Sequence, residues 1–224
     1  MLDYILTRSR RKTIAIYIRD GKVEVRAPLR ALKSDIDRFV LSKEDWIHKN
    51  LAKQTAQASK REDFVVDYGS LLTWRGQTYP LTPRSGSKAG FDGTVFYMPP
   101  GLHPAQIKAT CVKLYKRLAQ IHFEDRVSYF SGIMGVTPSV VKVNGAKTRW
   151  GSCSSKKSIN FSWRLALADD DVIDYVVVHE LAHLTQMNHS QRFWAIVEGV
   201  MPDYASKKQR LKVLQEKLAT ENWD

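Results

Sequence analysis

Two histidines and a glutamate between Val178 and Leu184 are the residues whose types and spacing could do chemistry. His179 and His183 are four residues apart, so on a helix they project from one face and can converge on one metal ion. Glu180 directly follows His179, and from there its carboxylate can reach a metal-bound water without being a ligand. Imidazole ligands that leave one coordination position to water are typical of a catalytic zinc site. We therefore expect one Zn2+ ion, with Glu180 as the catalytic residue.

Two residues compete for the third protein ligand. His189 would complete HExxHxxxxxH if the helix ends near Met187 and the chain turns back, with Asn188 in the left-handed conformation that a tight reversal needs. Glu198, on the next predicted helix, would instead give the two-histidine, one-glutamate set of the thermolysin type. We expect His189, because an acid on a helix is commonly a surface residue or a partner of a ligand.

This site predicts hydrolysis of peptide bonds. Zinc lowers the pKa of a bound water to about 7, and Glu180 would take its proton and return it to the leaving amine. Tyr204 and Arg149 are candidate donors to the oxyanion, although a structural role explains each of them better. Cys153 has no base near it in the sequence, so we expect it to pack in a turn.

The composition is that of a globular protein: 43% of residues are hydrophobic and 26% are charged. Two cysteines exclude a disulfide framework and a zinc ribbon of the CxxC type. The first twenty residues lack the apolar run of a signal peptide, and no segment approaches 18 apolar residues. We expect a cytoplasmic protein with no membrane partner.

The charge balance is strongly basic, with a net charge of +12 and a pI of about 9.7. The stretch from Lys147 to Arg164 contains five cations and no acid. Such a balance fits non-specific contact with nucleic acid or with acidic substrates. A solvated basic surface accounts for the same charge.

Residues 1–100 are expected to form a β-rich N-terminal region with two short helices. Alternating residues predict a small antiparallel sheet, with a hairpin turn at Asp20-Gly21. Helices are predicted to begin at Ser34 and at Ser42, and the second fades into a linker at residues 53–63. Further short strands follow. The predicted strands are residues 4–7, 13–19, 23–27, 71–74, 78–81 and 94–97.

Residues 101–224 are expected to form a zincin-like catalytic part in an α+β fold. A long helix from Pro104 to about 131 should lie behind the metal-binding HExxH helix, and it carries His122 as a less favoured candidate ligand. The aspartates at 169–171 should start the metal helix. Strands at 140–143 and 158–165 predict a small antiparallel sheet, and we expect residues 158–163 to be an edge strand that binds an extended substrate. Two more helices are predicted at 191–200 and 205–218.

Short segments along the chain carry a resemblance to a known family: residues 10–13, 26–28, 149–153, 173–183, 188–190, 193–194 and 201–204. Together, over nearly the whole chain, they resemble the YgjP-like metallopeptidase domain family. The resemblance implies a zincin-like metal-dependent hydrolase, related distantly to SprT-like and WLM-type proteases that act on DNA-associated proteins. It carries over His179, His183 and His189 as ligands and Glu180 as the base.

Two functions remain open at this point. One is a zinc metallopeptidase acting on polypeptides, including proteins associated with nucleic acid. The alternative is a nucleic-acid-associated binding module whose metal site is structural or vestigial. Glu180 favours the peptidase, because a structural site has no need of a base.

Overall fold

The structure is a computed structural model that describes residues 2–86 and 88–224. These residues form two units: the chain up to Phe64 with Ala219–Asn222, and Val65–Leu218 with Trp223–Asp224. Helices and small sheets occur in both, which confirms the α+β class. None of the described helices combines the length and the apolar character that crossing a bilayer requires.

The first unit opens with a sheet of three strands, β1 (Ile5–Ser9), β2 (Ala15–Arg19) and β3 (Lys22–Pro28). Asp20 and Gly21 have φ of 49° and 70°, as the predicted hairpin turn requires. The central strand β3 pairs antiparallel with β2 and parallel with β1. The expected all-antiparallel sheet is therefore wrong, because alternation shows which face of a strand is buried and not the direction of its neighbour.

Helices α1 (Lys33–Leu41) and α2 (Glu44–Glu62) complete the first unit. The linker predicted at 53–63 is wrong, since α2 continues to Glu62. Most residues of this stretch are lysine, glutamine, alanine or arginine, which are good helix formers. Gln54 also donates from Nε2 to the Ile18 carbonyl over 2.8 Å. Sheet and helices share a core of aliphatic residues: Val23, Val25, Ala27, Ile36, Val40 and Ile47.

Four short strands open the second unit: β4 (Leu71–Trp74), β5 (Gln77–Pro83), β6 (Gly90–Phe91) and β7 (Phe96–Met98). In their sheet they lie in the order β4-β5-β7-β6. The strands β5 and β7 are parallel, and the other neighbours are antiparallel. Tyr115 on the next helix donates from Oη to the Thr73 carbonyl over 2.8 Å. These strands belong to the same unit as that helix, whereas the sequence suggests a boundary at residue 100. Short strands bury too little surface alone and need a helix to pack against.

The expected backing helix is α3 (Pro104–Met134), which packs against α4 (Asp170–Ala182). It runs past the predicted end at 131 and stops at Gly135, whose φ of 64° reverses the chain. Arg126 of α3 donates from Nε and Nη2 to the two carboxylate oxygens of Asp174 over 2.6 and 2.8 Å. This bidentate pair joins the two helices.

A second three-stranded sheet lies beside α4 and consists of β8 (Val140–Asn144), β9 (Gly151–Cys153) and β10 (Ser158–Ser162). Its central strand is β10, parallel to β8 and antiparallel to β9, so this sheet is also mixed. The edge role expected for residues 158–163 is therefore wrong, because both sides of β10 are paired. Among the described strands β9 has a partner on one side only, and it is β9 that packs against α4. The predicted strand at 158–165 gives way to a 3-10 helix at Trp163–Leu167.

Two helices follow α4. The first, α5, spans Gln191–Val200, and the second, α6, spans Tyr204–Leu218. Both agree with the helices predicted at 191–200 and 205–218.

Candidate metal centre

Helix α4 carries His179 and Glu180 in its last turn. The three valines before His179 favour strands, yet Val176, Val177 and Val178 are all buried in the helix. Burial of their side chains outweighs the small local preference.

The acidic start of α4 binds cations from other elements. Asp169 occupies the N-cap position, but its carboxylate makes no capping bond and instead pairs with Arg210 of α6. Asp171 accepts from the same guanidinium over 2.6 Å. Asp170 accepts from Arg75 Nε over 2.6 Å, a hydrogen bond that lowers the pKa of the carboxyl. The beginning of the helix is thus held by residues from both ends of the second unit.

The chain reverses immediately after α4. The helix ends at Ala182, with His183 as its C-cap, and Gln186 N donates to the Ala182 carbonyl over 2.9 Å. The predicted helix end near Met187 is therefore wrong, because the helix stops before it. Asn188 is not among the described residues with positive φ, so the predicted left-handed Asn188 is wrong as well. Short-range turn bonds make the reversal, and Asn188 contributes by accepting from Gln186 Nε2 over 2.7 Å.

The reversal returns His189 to the two helical histidines. Nε2 of His189 lies 3.0 Å from Nε2 of His179, and one ring nitrogen from each of His179, His183 and His189 lies within 4.8 Å of the others. Two nitrogens on one tetrahedral zinc, each at about 2.0–2.1 Å, would be about 3.3 Å apart. His183 Nδ1 lies 3.1 Å from the Gln186 carbonyl, so donation there leaves its Nε2 free for a metal. The donor set fits a zinc ion.

Aromatic rings pack against the imidazoles. The Phe193 ring lies with its centroid 4.6 to 4.9 Å from all three. Trp194 stacks on His189 at an interplanar angle of 28°, and Tyr204 stacks on Trp194 at 19°. The only local signal for this role is a pair of aromatics shortly after His189. The stacking gives Tyr204 a packing contact, while its expected role as an oxyanion donor stays a prediction.

Burial keeps the helical histidines neutral. It lowers the pKa of His179 to about 3, assisted by the neighbouring imidazoles, and it also lowers the pKa of His183. A neutral imidazole is the form that binds a metal. Burial has the opposite effect on the carboxyl of Glu180, whose pKa rises to about 8 although the Arg149 guanidinium opposes the rise.

Glu180 is enclosed by strand β9. The residue is 5% exposed, and a Cβ on Gly151 would lie 2.7 Å from Glu180 Cγ and Cδ and closer still to Oε1. Oε2 is buried and has no hydrogen-bond partner among the residues that the structure describes. A carboxyl group with an unsatisfied buried oxygen is costly unless something else is bound there. No local pattern indicates that Gly151 lies opposite Glu180.

The remaining candidates lie outside the histidine cluster. Glu198 is exposed on α5 and does not belong to the group of ligand atoms that the described residues bring together. His122 has its Nε2 3.4 Å from Asp170. Burial raises the pKa of Cys153, which makes it a poor nucleophile.

The basic stretch from Lys147 to Arg164 is partly neutralised. Both of these cations pair with Asp224, Lys147 through a short contact and Arg164 over 3.7 Å. The positive charge of this stretch is therefore smaller than its own sequence indicates, because an acid from a distant part of the chain pairs with two of its cations.

Two solved structures of metallopeptidase zymogens are similar to part of this chain. Among solved structures it is similar to the metallopeptidase zymogen of Pyrococcus abyssi abylysin, with 25% identity over 45% of this chain and 98% of that chain and a TM-score of 0.39. The metallopeptidase zymogen of Methanocaldococcus jannaschii jannalysin is 20% identical over 42% of this chain and 96% of that chain, with a TM-score of 0.37. TM-scores below 0.5 do not establish a common fold. No curated protein sequence matches.

The family model for the YgjP-like metallopeptidase domain matches residues 12–214. That range contains the histidine cluster, Glu180 and the strand that encloses it. This chain belongs to the YgjP-like metallopeptidase domain family.

Proposed function

We propose that this protein is a zinc-dependent peptidase in which His179, His183 and His189 hold the metal and Glu180 is the general base. The observation that carries the proposal is the convergence of three imidazole nitrogens within 4.8 Å. Three neutral nitrogen donors are a typical ligand set for catalytic zinc. A zinc ion held there supplies a Lewis acid that polarises the scissile carbonyl and lowers the pKa of a bound water.

Glu180 provides the proton transfers. Its carboxylate accepts a proton from the attacking water and delivers it to the leaving amine. Its pKa of about 8 lies close to the value of about 7 that a zinc-bound water has, so one group can both accept and release the proton. This buried base also argues against a structural metal site in a nucleic-acid-binding module, since such a site gains nothing from it.

Strand β9 is the element best suited to bind the substrate. Its unpaired side can add an extended peptide as a further strand, and Gly151 brings the strand directly against Glu180. Arg149, two residues earlier, is close enough to lower the pKa of Glu180. We assign its guanidinium to the oxyanion of the tetrahedral intermediate, with Tyr204 as the second candidate.

The ligand assignment is tested by measuring bound zinc in His189→Ala and Glu198→Ala proteins. We expect His189→Ala to lose most of its zinc and Glu198→Ala to retain it. The two substitutions lie on neighbouring segments of one unit, so each is a control for the other. Full retention by His189→Ala together with loss from Glu198→Ala would reverse the assignment.

The activity is tested by incubating zinc-loaded protein with a mixture of denatured proteins, with and without single-stranded DNA. Glu180→Gln, which keeps the size of the side chain, is the matched control. We expect cleavage by the unaltered protein and none by the variant. If DNA increases this cleavage, the preference for nucleic-acid-associated substrates is supported; if nothing is cut in a Glu180-dependent way, the peptidase proposal fails for these substrates.

A further inference from the structure

A basic cleft of about 320 Å³ lies on the second unit, formed by α3 and the segment before β6. This volume is at the lower end of the range for small-molecule sites, which starts at about 300 Å³. Three of its six lining residues are cations and none is an acid. The cleft is lined by Lys88, Ala89, Thr110, Lys113, Leu114 and Arg117.

The cations come from two parts of the chain. Lys113 and Arg117 are four residues apart on α3 and therefore share one face, and Lys88 reaches the same cleft from the segment before β6. Arg117 donates from Nη2 to the Ala89 carbonyl over 3.2 Å, which fastens that segment to the helix. The fold thus holds the cleft open between two linked elements.

The charge of the cleft is not neutralised within the chain. Lys88, Lys113 and Arg117 make no ion pair with any carboxylate of the described residues, in contrast to Arg75, Arg126 and Arg210 of the same unit. Converging like charges repel one another, and a bound anion would relieve that repulsion. The buried Leu114 and the methyl of Ala89 add an apolar surface between the charges.

We propose that this cleft binds a phosphate-bearing ligand the size of one nucleotide. The guanidinium and the two ammonium groups would contact the phosphate, and the apolar surface would contact the sugar or base. The Thr110 hydroxyl donates to the Gln106 carbonyl over 2.7 Å, so the cations carry the recognition. The same chemistry is offered by a free nucleotide and by one nucleotide of a single strand.

The test measures binding of thymidine 5′-monophosphate by calorimetry and of a short fluorescent oligothymidylate by anisotropy. The variant is Lys113→Ala/Arg117→Ala, and the control is Lys108→Ala/Lys116→Ala, which removes the same charge from the same helix outside the cleft. We expect the cleft variant to lose at least about tenfold in affinity for the probes. The control should bind them as the unaltered protein does. For the oligonucleotide, the slope of log binding constant against log salt concentration should become shallower by about 0.7 for each phosphate contact removed.

Binding of both probes indicates a site open to free nucleotides, and binding of the oligonucleotide alone indicates a contact to a strand. The proposal is overturned if neither probe binds. It is also overturned if both double variants weaken binding equally, because net charge alone would then explain the affinity. Circular dichroism of each variant confirms that it is folded. None of these outcomes bears on the peptidase site.

Discussion

Replacing Gly151 by alanine tests whether the close approach of β9 positions Glu180. Ordinary van der Waals contact of a Cβ begins at 3.4 Å, whereas the new methyl would lie 2.7 Å from Glu180 Cδ. The carboxyl or the strand must therefore move by about 0.7 Å or more, in a packed site that offers little room. The three atoms nearest to the new methyl all belong to Glu180.

The expected loss is larger in activity than in stability. Inserting a methyl group into a packed contact costs about 1–3 kcal/mol, and a misplacement of about 1 Å at a catalytic group lowers the rate about 100-fold. We expect kcat/KM for a denatured-protein substrate to fall by about that factor, and the free energy of unfolding in urea to fall by about 1–3 kcal/mol. Bound zinc should be unchanged, because the methyl group meets the base and not the histidines.

Gly199→Ala is the matched control. Gly199 lies in α5 with nothing within 4 Å of an added Cβ, so alanine there should leave kcat/KM unchanged and raise helix stability by up to about 1 kcal/mol. A folded, zinc-containing Gly151→Ala protein with unaltered kcat/KM would refute the argument that the missing side chain at 151 sets the position of Glu180.

Three further predictions concern the site and the helix that carries it. Burial raises the pKa of Glu180 from its ordinary value of 4.5 to about 8. In metal-free protein, the stability linked to the protonated carboxyl is therefore fully present below pH 4.5 and is lost as pH rises through about 8. The free energy of unfolding changes by at most about 5 kcal/mol over this range. Urea unfolding of Glu180→Gln at pH 4.5 and 8.5 should lack this part of the pH dependence, and an identical dependence in both proteins would contradict it. Arg126→Met removes two hydrogen bonds to half-buried Asp174 and should lower the free energy of unfolding by about 1–3 kcal/mol, whereas a loss below about 0.5 kcal/mol would mean that solvent screens the pair. Trp194→Leu removes the ring stacked on His189 and should weaken zinc binding about 10- to 100-fold in competition with a chelator; an unchanged affinity would show that stacking does not orient the ligand.

Local spacing determined much of the candidate site. His179, Glu180 and His183 fall within five residues, and the helical period alone brings the two imidazoles together. The bounds of α5 and the hairpin turn at Asp20 were predictable for the same reason, since their signals lie in neighbouring residues. Composition and periodicity also indicated the α+β class.

Only the tertiary structure decided how the rest is arranged. The sequence favoured His189 over Glu198 as the third ligand without showing where either residue lies. In the structure, backbone turns after Ala182 bring His189 to the other two histidines, while Glu198 lies exposed on α5. It also predicted the wrong edge strand, because the order of strands in a sheet depends on pairings between distant segments. Gly151 acquires its importance from Glu180, 29 residues away in the chain, whose side chain occupies the space that a Cβ would need. Side-chain types and helical period specify which groups could do the chemistry, whereas packing between distant residues determines which of them meet.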